Sequence, residues 1–270
     1  MNKVPSGAGE PNNVGAGGAL PRRLPRWRKR VGKWLHAIGQ VLQLASPRHR
    51  ALVIVGTLQT LRRIAEQMPE LPIEILPQSK NLGFAGGCNA GIARARQLSA
   101  RYVQLLNPDT VVAEGWLERV MAVLDARLEV AAAQPLILLY DEPERVNSAG
   151  NEIHFCGFGY CGGYGQTRAE AVAAGEVRSV SYASGAALLL RMSALDEVGD
   201  FDETLFLYHE ECDLQIRLRL FGYDCVLVPA AHIFHKYSDD FSPKKYGWLE
   251  RNRQLVLLKN WPRRELLCAA

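Results

Sequence analysis

No stretch of the 270 residues offers the roughly 18 consecutive apolar side chains that a bilayer-spanning helix requires. The six cysteines (Cys88, Cys156, Cys161, Cys212, Cys225 and Cys268) form no CxxC pair and no metal-finger spacing, which argues against zinc-ribbon and thioredoxin-like classes. A chain of this size does not depend on disulfide staples, and no secretory signal is visible. Reduced thiols in a cytoplasmic protein are therefore expected. Internal repeats are absent. Acidic residues are scarce at the start: residues 1–50 hold one of the 28 acids (Glu10) but ten of the 32 Lys/Arg, a local charge of +9. The other 220 residues carry −5, so a basic arm precedes a mildly acidic body.

What is present suffices for a packed core. Hydrophobic residues make up 48% and charged residues 22% of the chain, enough for one α/β domain or two small ones. Residues 1–20 are mostly Gly, Ala, Pro and Asn and are expected to be disordered. Residues 22–44 set seven cations among Trp27, Val31, Trp34, Leu35, Ile38, Val41 and Leu42, and from Val31 onward the apolar spacing fits one helical face. Such a segment suits peripheral contact with an anionic membrane. A solvated basic tail is an equal reading. Nucleic acid is a rival partner that is not adopted. We place the arm at residues 1–45 and the folded domain at 46–270.

From residue 51 strand-like and helix-like runs alternate. Ala51–Val55, Ile73–Leu76, Tyr102–Leu106, Val130–Leu139, Ala186–Arg191 and Asp224–Val228 read as strands. Leu58–Gln67, Ile92–Ser99, Glu114–Ala126, Met192–Val198, Glu210–Phe221 and Tyr246–Lys259 read as helices. Alternation of this kind predicts a mixed, mostly parallel sheet covered on both faces. Residues 141–180, rich in Gly and Tyr, read as a long functional loop region.

Four constellations carry possible chemistry. Asn81-Leu-Gly-Phe-Ala-Gly-Gly-Cys-Asn-Ala-Gly91 reads as a glycine-rich turn before a helix, able to bring backbone close to a flat or phosphorylated ligand. It lacks the Gly-Lys-Ser/Thr end of a P-loop, and a tight structural turn explains it equally well. Asn107-Pro108-Asp109 follows an apolar strand, where open α/β sheets bind ligands. One Asp there can hold a divalent cation bridging two phosphates, or it can cap the next helix. Glu210, Glu211 and Asp213 crowd a helix start, where the helix dipole favours carboxylates. Asp213 can pair with Arg217 at i, i+4, leaving a neighbouring acid to act as a base. His232 and His235, at i, i+3, are metal-ligand candidates or structural histidines.

In this order the pieces resemble glycosyltransferase family 2, and within it the rhamnosyltransferase-like branch. The set comprises Asn-Leu-Gly-Phe-Ala-Gly-Gly-x-Asn, Leu-Leu-Asn-Pro-Asp, Ser184-Gly-Ala-Ala-Leu-Leu-Leu-Arg, Gly-Asp-Phe-Asp-Glu-x-x-Phe-x-Tyr-x-Glu, Asp-Leu-x-x-Arg, His-Lys-x-Ser and Arg251-Asn-Arg. The resemblance covers residues 81–260 and implies a GT-A fold. It also implies an inverting enzyme that moves rhamnose or another hexose from a dTDP-, UDP- or GDP-linked donor to a glycan or lipid-linked acceptor in surface polysaccharide synthesis. The setting implied is cytoplasmic, with possible attachment at the inner face of the plasma membrane.

By the same resemblance, Asn81, Gly83, Phe84, Gly86, Gly87 and Asn89 line the nucleotide pocket, and Asn107 lies beside the diphosphate. Gly185 and Ala186 back the sugar pocket, and Asp213 joins the substrate-binding set. Asp109 and His235 hold Mg²⁺ or Mn²⁺, while Glu211, with Glu210 beside it, supplies the base. Two departures stand out. Glu replaces the family's Asp at 211, and the opening strands are incomplete: Ala51–Thr57 ends Val55-Gly56-Thr57, without the acid that holds the base. The N-terminal part is therefore incomplete or rearranged. The alternative function is a degenerate, inactive copy that acts as a binding protein.

Overall fold

The computed structural model describes residues 50–54, 61–62, 65–66, 73–172, 175–237 and 242–269. The basic arm, the end of the first strand at 55–57 and most of the expected helix over 58–67 lie outside the described residues.

The apolar runs become strands of one mixed sheet. In it β1 (Arg50–Val53) runs parallel to β2 (Tyr102–Leu106), which pairs antiparallel with β9 (Ala187–Arg191). Beyond β9 lie β4 (Val130–Leu139), antiparallel to it, then β10 (Asp224–His235), parallel to β4, and β3 (Thr110–Val112) at the far edge. Short strands β5 (Val146–Ser148) and β8 (Arg178–Ser179) add to β4 and β10. A separate hairpin joins β6 (Asn151–Ile153) to β7 (Gly159–Cys161). The parallel strands β1, β2, β4 and β10 thus all end at one edge, the edge where β9 begins.

Helices cover both faces, which is why β2, β4 and β9 are apolar along nearly their whole length rather than alternating. On one face α1 (Gly83–Gln97), α4 (Met192–Val198) and α5 (Glu210–Leu220) bring Ile92, Leu195, Leu214 and Leu218 against Val103, Leu105, Leu188 and Leu136. On the other, α2 (Trp116–Ala126) packs Trp116, Val120 and Leu124 on Tyr102, Leu189, Ile137 and Val226. Each such side chain fully buried contributes about 1.5–3 kcal/mol. A third cluster of Leu205, Cys212, Tyr182 and Val256 fastens α6 (Pro243–Asn260) to the acidic start of α5. Two short helices, α3 (Arg168–Val172) and α7 (Arg263–Ala269), and a 3₁₀ turn at Glu203–Leu205 are also present.

The structure corrects several expectations. Ile73–Leu76 joins no ladder among the described residues; prolines at 72 and 77 bracket the run, and Pro77 has no N–H to donate. The region 141–180 is not one loop but holds β5 to β8 and α3. Strand β10 does not stop at Val228. It crosses an irregularity between Val228 and His232, where Pro229 is accommodated as at a bulge, and continues to His235.

The largest revision concerns the glycine-rich segment. The helix begins at Gly83, not near Ile92, so Gly86, Gly87 and Gly91 are helical. Gly83 starts it with φ +70°, and a Cβ there would lie 2.3 Å from the Phe206 carbonyl oxygen. At Gly91 the helix touches β1, and a Cβ would fall 2.4 Å from Cγ1 of Val53. Close packing, not ligand approach, explains these two glycines.

Candidate active site

At the shared strand edge, Asn107–Thr110 forms a turn with Pro108 at its second position, as such turns favour. The Thr110 N–H and hydroxyl both donate to the Asn107 carbonyl, at 3.2 and 2.8 Å. The Asn107 N–H donates to the Ala186 carbonyl (2.9 Å), and the Lys236 N–H to the Asp109 carbonyl (3.0 Å). The turn is therefore pinned between the start of β9 and the end of β10. His235 pairs in register with Thr110, which sets its Nε2 3.3 Å from Oδ1 of Asp109. The other ring nitrogen, Nδ1, lies 3.0 Å from Oδ1 of Asn147 on β5. Burial works to raise the Asp109 carboxyl, but the adjacent imidazole, a backbone N–H and the Lys236 charge together leave the group below its ordinary value.

His232 does not join this pair. On a strand, a spacing of three puts two side chains on opposite faces, and Nδ1 of His232 lies 3.4 Å from an Arg168 guanidinium nitrogen. Burial, then Arg168 and Arg119, lower its pKa to about 4.

The acidic helix start forms the second half of the site. Glu210 is buried, Glu211 is half-buried, and each keeps one carboxylate oxygen shielded from solvent with no hydrogen-bond partner among the described residues. Burial pushes both carboxyls up; the charge of Glu211 adds to the rise at Glu210, and N–H groups of Glu211 and Gly185 offset part of it at Glu211. A Cβ on Gly185 would sit 3.9 Å from Cδ of Glu211 and 3.3 Å from Cζ of Phe84. Contacts thus run without a break from Asp109 through Asn107, Ala186 and Gly185 to Glu211. That chain of contacts brings Asp109, His235, Asn107, Gly185, Ala186, Glu210 and Glu211 to one edge.

Other expected site residues are engaged elsewhere. The N-terminus of α1 is not an open anion cradle, because the N–H groups of Phe84 and Ala85 donate to the Phe206 carbonyl, at 2.7 and 3.3 Å, and Asn81 accepts from Gly83. The Phe84 ring sits edge-on to Phe201 with centroids 6.3 Å apart. The Asn89 amide holds the backbone of Phe201 from both sides, at 2.9 and 3.0 Å, and donates to Glu203. Asp213 is fully buried and accepts from Arg217, Lys259 and Asn260 at 2.8–3.0 Å, so its carboxylate is saturated by the protein.

Three residues that sequence reasoning passed over organise the site. Gln215 brackets Ala183, accepting from its N–H and donating to its carbonyl. Gln134, buried on β4, accepts from the Ser184 N–H at 2.6 Å. Together they fix the segment that carries Gly185 and Ala186. The third, Asn252, lies under the acidic turn. A polar residue in an otherwise apolar strand was a signal for Gln134 alone, and it did not reveal the partner. A groove of about 530 Å³ lined by Phe155, Leu220 and Trp261 lies at the far end of α5 and includes none of the acidic site residues.

The family model for "Glycosyltransferase like family 2" matches residues 28–254. The chain belongs to that family. N-acetylglucosaminyl-diphospho-decaprenol L-rhamnosyltransferase of Mycobacterium tuberculosis is 28% identical over 183 residues, covering 60% of this chain and 58% of the relative. Rhamnosyltransferase WbbL of Escherichia coli is 36% identical over 72 residues, which is 26% of this chain and 27% of that protein. The chain therefore spans less than two thirds of the relatives it matches. Among solved structures, GalNAc-T7 with UDP, GalNAc and Mn²⁺ aligns with a TM-score of 0.60 at 14% identity, over 81% of this chain and 49% of that one. S. aureus TarS aligns at 0.55 and 13%, over 87% and 38%. The fold is of the GT-A type, as the resemblance implied.

Proposed function

We propose that this family member transfers a sugar, rhamnose or another hexose, from a nucleotide-diphosphate donor to a glycan or lipid-linked acceptor, with inversion at the anomeric carbon. The observation that carries the reading is the acid pair Glu210 (buried) and Glu211 (half-buried), each with a shielded oxygen that has no partner among the described residues, linked through Gly185, Ala186 and Asn107 to Asp109 and His235. A carboxylate held in a desolvated setting is a stronger base than one in water. In the proposed step Glu211 takes the proton of the acceptor hydroxyl while that oxygen forms a bond to C1 of the sugar. The C1–O bond to the diphosphate breaks, and its electron pair leaves on the diphosphate oxygen. Glu210 lies beside Glu211, and burial together with the Glu211 charge pushes its own carboxyl up.

Asp109 offers a shielded Oδ1 whose one close polar neighbour among the described residues is the His235 imidazole, at 3.3 Å. A carboxylate and an imidazole supply two ligands, and no cluster of three or more ligating side chains occurs among the described residues. The pair therefore fits a cation that completes its shell with diphosphate and water oxygens, as Mg²⁺ does and as is equally open to Mn²⁺. Asp109 and His235 would hold such an ion, which would supply charge neutralisation for the departing diphosphate. The Lys236 ammonium, which lies over the Tyr140 ring at 4.8 Å, is near enough to act on the Asp109 carboxyl by charge and suits the same anion. The rhamnosyltransferase names of the relatives, one acting on a decaprenol-linked substrate, support the choice of donor sugar and acceptor. No helix among the described residues is long and apolar enough to cross a membrane. We assign the domain to 46–270, working at the cytoplasmic membrane surface with the basic arm as its contact.

A second reading keeps one observation in its favour: protein groups occupy the N-terminus of α1 and the Asn89 amide, and the acid expected after Val55 is missing. A copy so altered binds partners without turnover. One experiment separates the two, a screen of UDP-, dTDP- and GDP-sugars with Mg²⁺ or Mn²⁺ for hydrolysis and thermal stabilisation. The enzyme reading expects metal-dependent binding that Asp109→Ala abolishes. Glu211→Gln should bind the donor yet lose about 10²–10⁴-fold in turnover. No stabilisation by any nucleotide sugar at millimolar concentration would leave the binding-protein reading standing.

A further inference from the structure

The segment that leads into the acidic helix has an unusual backbone. Phe206, Tyr208 and His209 all have positive φ, at 59°, 71° and 66°, and none is glycine or asparagine. Each such residue is strained by roughly 1–3 kcal/mol and persists only where its surroundings hold it. The holder here is α6. Asn252, fully buried on that helix, donates from Nδ2 to three carbonyls of the turn: Leu205 at 2.6 Å, Leu207 at 2.8 Å and Tyr208 at 2.8 Å. Its Oδ1 accepts from Arg251 at 2.7 Å. One turn earlier on the same helix, Trp248 stacks on the Phe206 ring at 5.2 Å and 21°. The carbonyl between them, that of Phe206, receives the N-terminal N–H groups of α1.

We propose that Asn252, with the Trp248–Phe206 stack, is the positioning device that aims Glu210 and Glu211 into the site. The inference rests on the general-base reading of Glu211. An amide has two N–H hydrogens, so serving three carbonyls requires them to converge on one point, and that convergence imposes the turn. No hydroxyl or methylene side chain reproduces it. Without it the turn relaxes toward ordinary negative φ, and the residues that follow rotate. A displacement of about 1 Å at a catalytic group costs about 10²-fold in rate even when substrate binding is untouched.

The test compares kcat with donor KM in the full chain for Asn252→Ala, Asn252→Asp and Trp248→Ala. Asn252→Asp keeps the acceptor for Arg251 but has no hydrogen for the carbonyls. Trp248 is half-buried, so its removal loosens the turn from the other side with less risk to folding. The two Asn252 variants should lose about 10²-fold in kcat per folded molecule with donor KM unchanged, and Trp248→Ala should fall between them and the parent. Parent-like kcat in Trp248→Ala and in whichever Asn252 variant folds overturns the inference. So does a fall in kcat that tracks a matching loss of donor affinity. If Glu211→Gln itself turns over normally, the base assignment fails first, whatever the Asn252 variants do. If Glu211→Gln is inactive while these variants are not, only the positioning role is lost.

Discussion

Glu210 and Asp213 stand three residues apart on one helix and are both buried, yet their surroundings treat them in opposite ways. Asp213 faces Arg217, Lys259 and Asn260. Removing its carboxylate leaves those donors uncompensated, and Asp213→Ala should cost about 3–5 kcal/mol in a urea melt, the range for breaking a buried pair. Among the described residues no cation pairs with Glu210. Its folded-state pKa lies above its unfolded value, so the native state holds the proton more tightly. Where the native state binds more protons, stability falls as pH rises. The penalty is absent below the ordinary glutamate value of 4.5 and grows as pH climbs from there through the raised folded value. Glu210→Gln, which cannot ionise, should therefore melt higher than the parent at pH 8 and equal to it below pH 4.5. Melting curves across that window check it, and a variant less stable at pH 8 would show that the ionised carboxylate has a partner. The sequence exposed this contrast only in part: the i, i+4 spacing of Asp213 and Arg217 is local, whereas Lys259 and Asn260 arrive from another helix.

At the scale of elements, legibility followed the range of the interactions that set each boundary. Strands β2 and β4 were readable because burial on both faces leaves an apolar run with no local ambiguity. Helix α1 was misjudged because its start is set by the Phe206 carbonyl, more than a hundred residues away, while its glycines locally suggest a loop. Strand β10 was cut short at a proline that a bulge absorbs. The same misjudgement changes what a glycine means. If Gly91 belonged to a ligand loop, adding a methyl would affect binding and spare the fold. In a helix against β1, Gly91→Ala gains about 1 kcal/mol in helix propensity but forces a contact 2.4 Å from Val53. Such overpacking typically costs about 1–3 kcal/mol. The net should be a loss on the order of 1 kcal/mol by denaturant midpoint, with donor affinity unchanged. A stabilised Gly91→Ala would mean that α1 and β1 are not packed this closely.

Over the whole molecule, the sheet and the arm answer to different physics. The sheet gathers parallel strand ends at one edge, and a polar turn after an apolar strand marked that edge in advance, so the position of Asp109 was legible, whereas His235 was singled out only by the resemblance because the strand reading stopped at Val228. Nothing local in sequence revealed the Gln134, Gln215 and Asn252 braces, because each joins segments 32–50 positions apart. The arm's expected membrane contact draws on charge as well as on its apolar face. Residues 1–45 hold eight Lys/Arg against one acid, while the body beyond residue 50 is negative. Near an anionic bilayer each cation contributes about 1 kcal/mol, and 1.4 kcal/mol is a tenfold change in affinity. Even with half the cations engaged, deletion of residues 1–45 should weaken binding to phosphatidylserine-containing vesicles by about 10²-fold or more. Binding to phosphatidylcholine vesicles should change far less, and added salt should erase most of the difference, because screening acts on exposed charge. A membrane that binds the deleted chain equally well would place the attachment on the folded body, where the net negative charge makes electrostatic attraction to the same lipids unfavourable and an apolar contact would have to supply it.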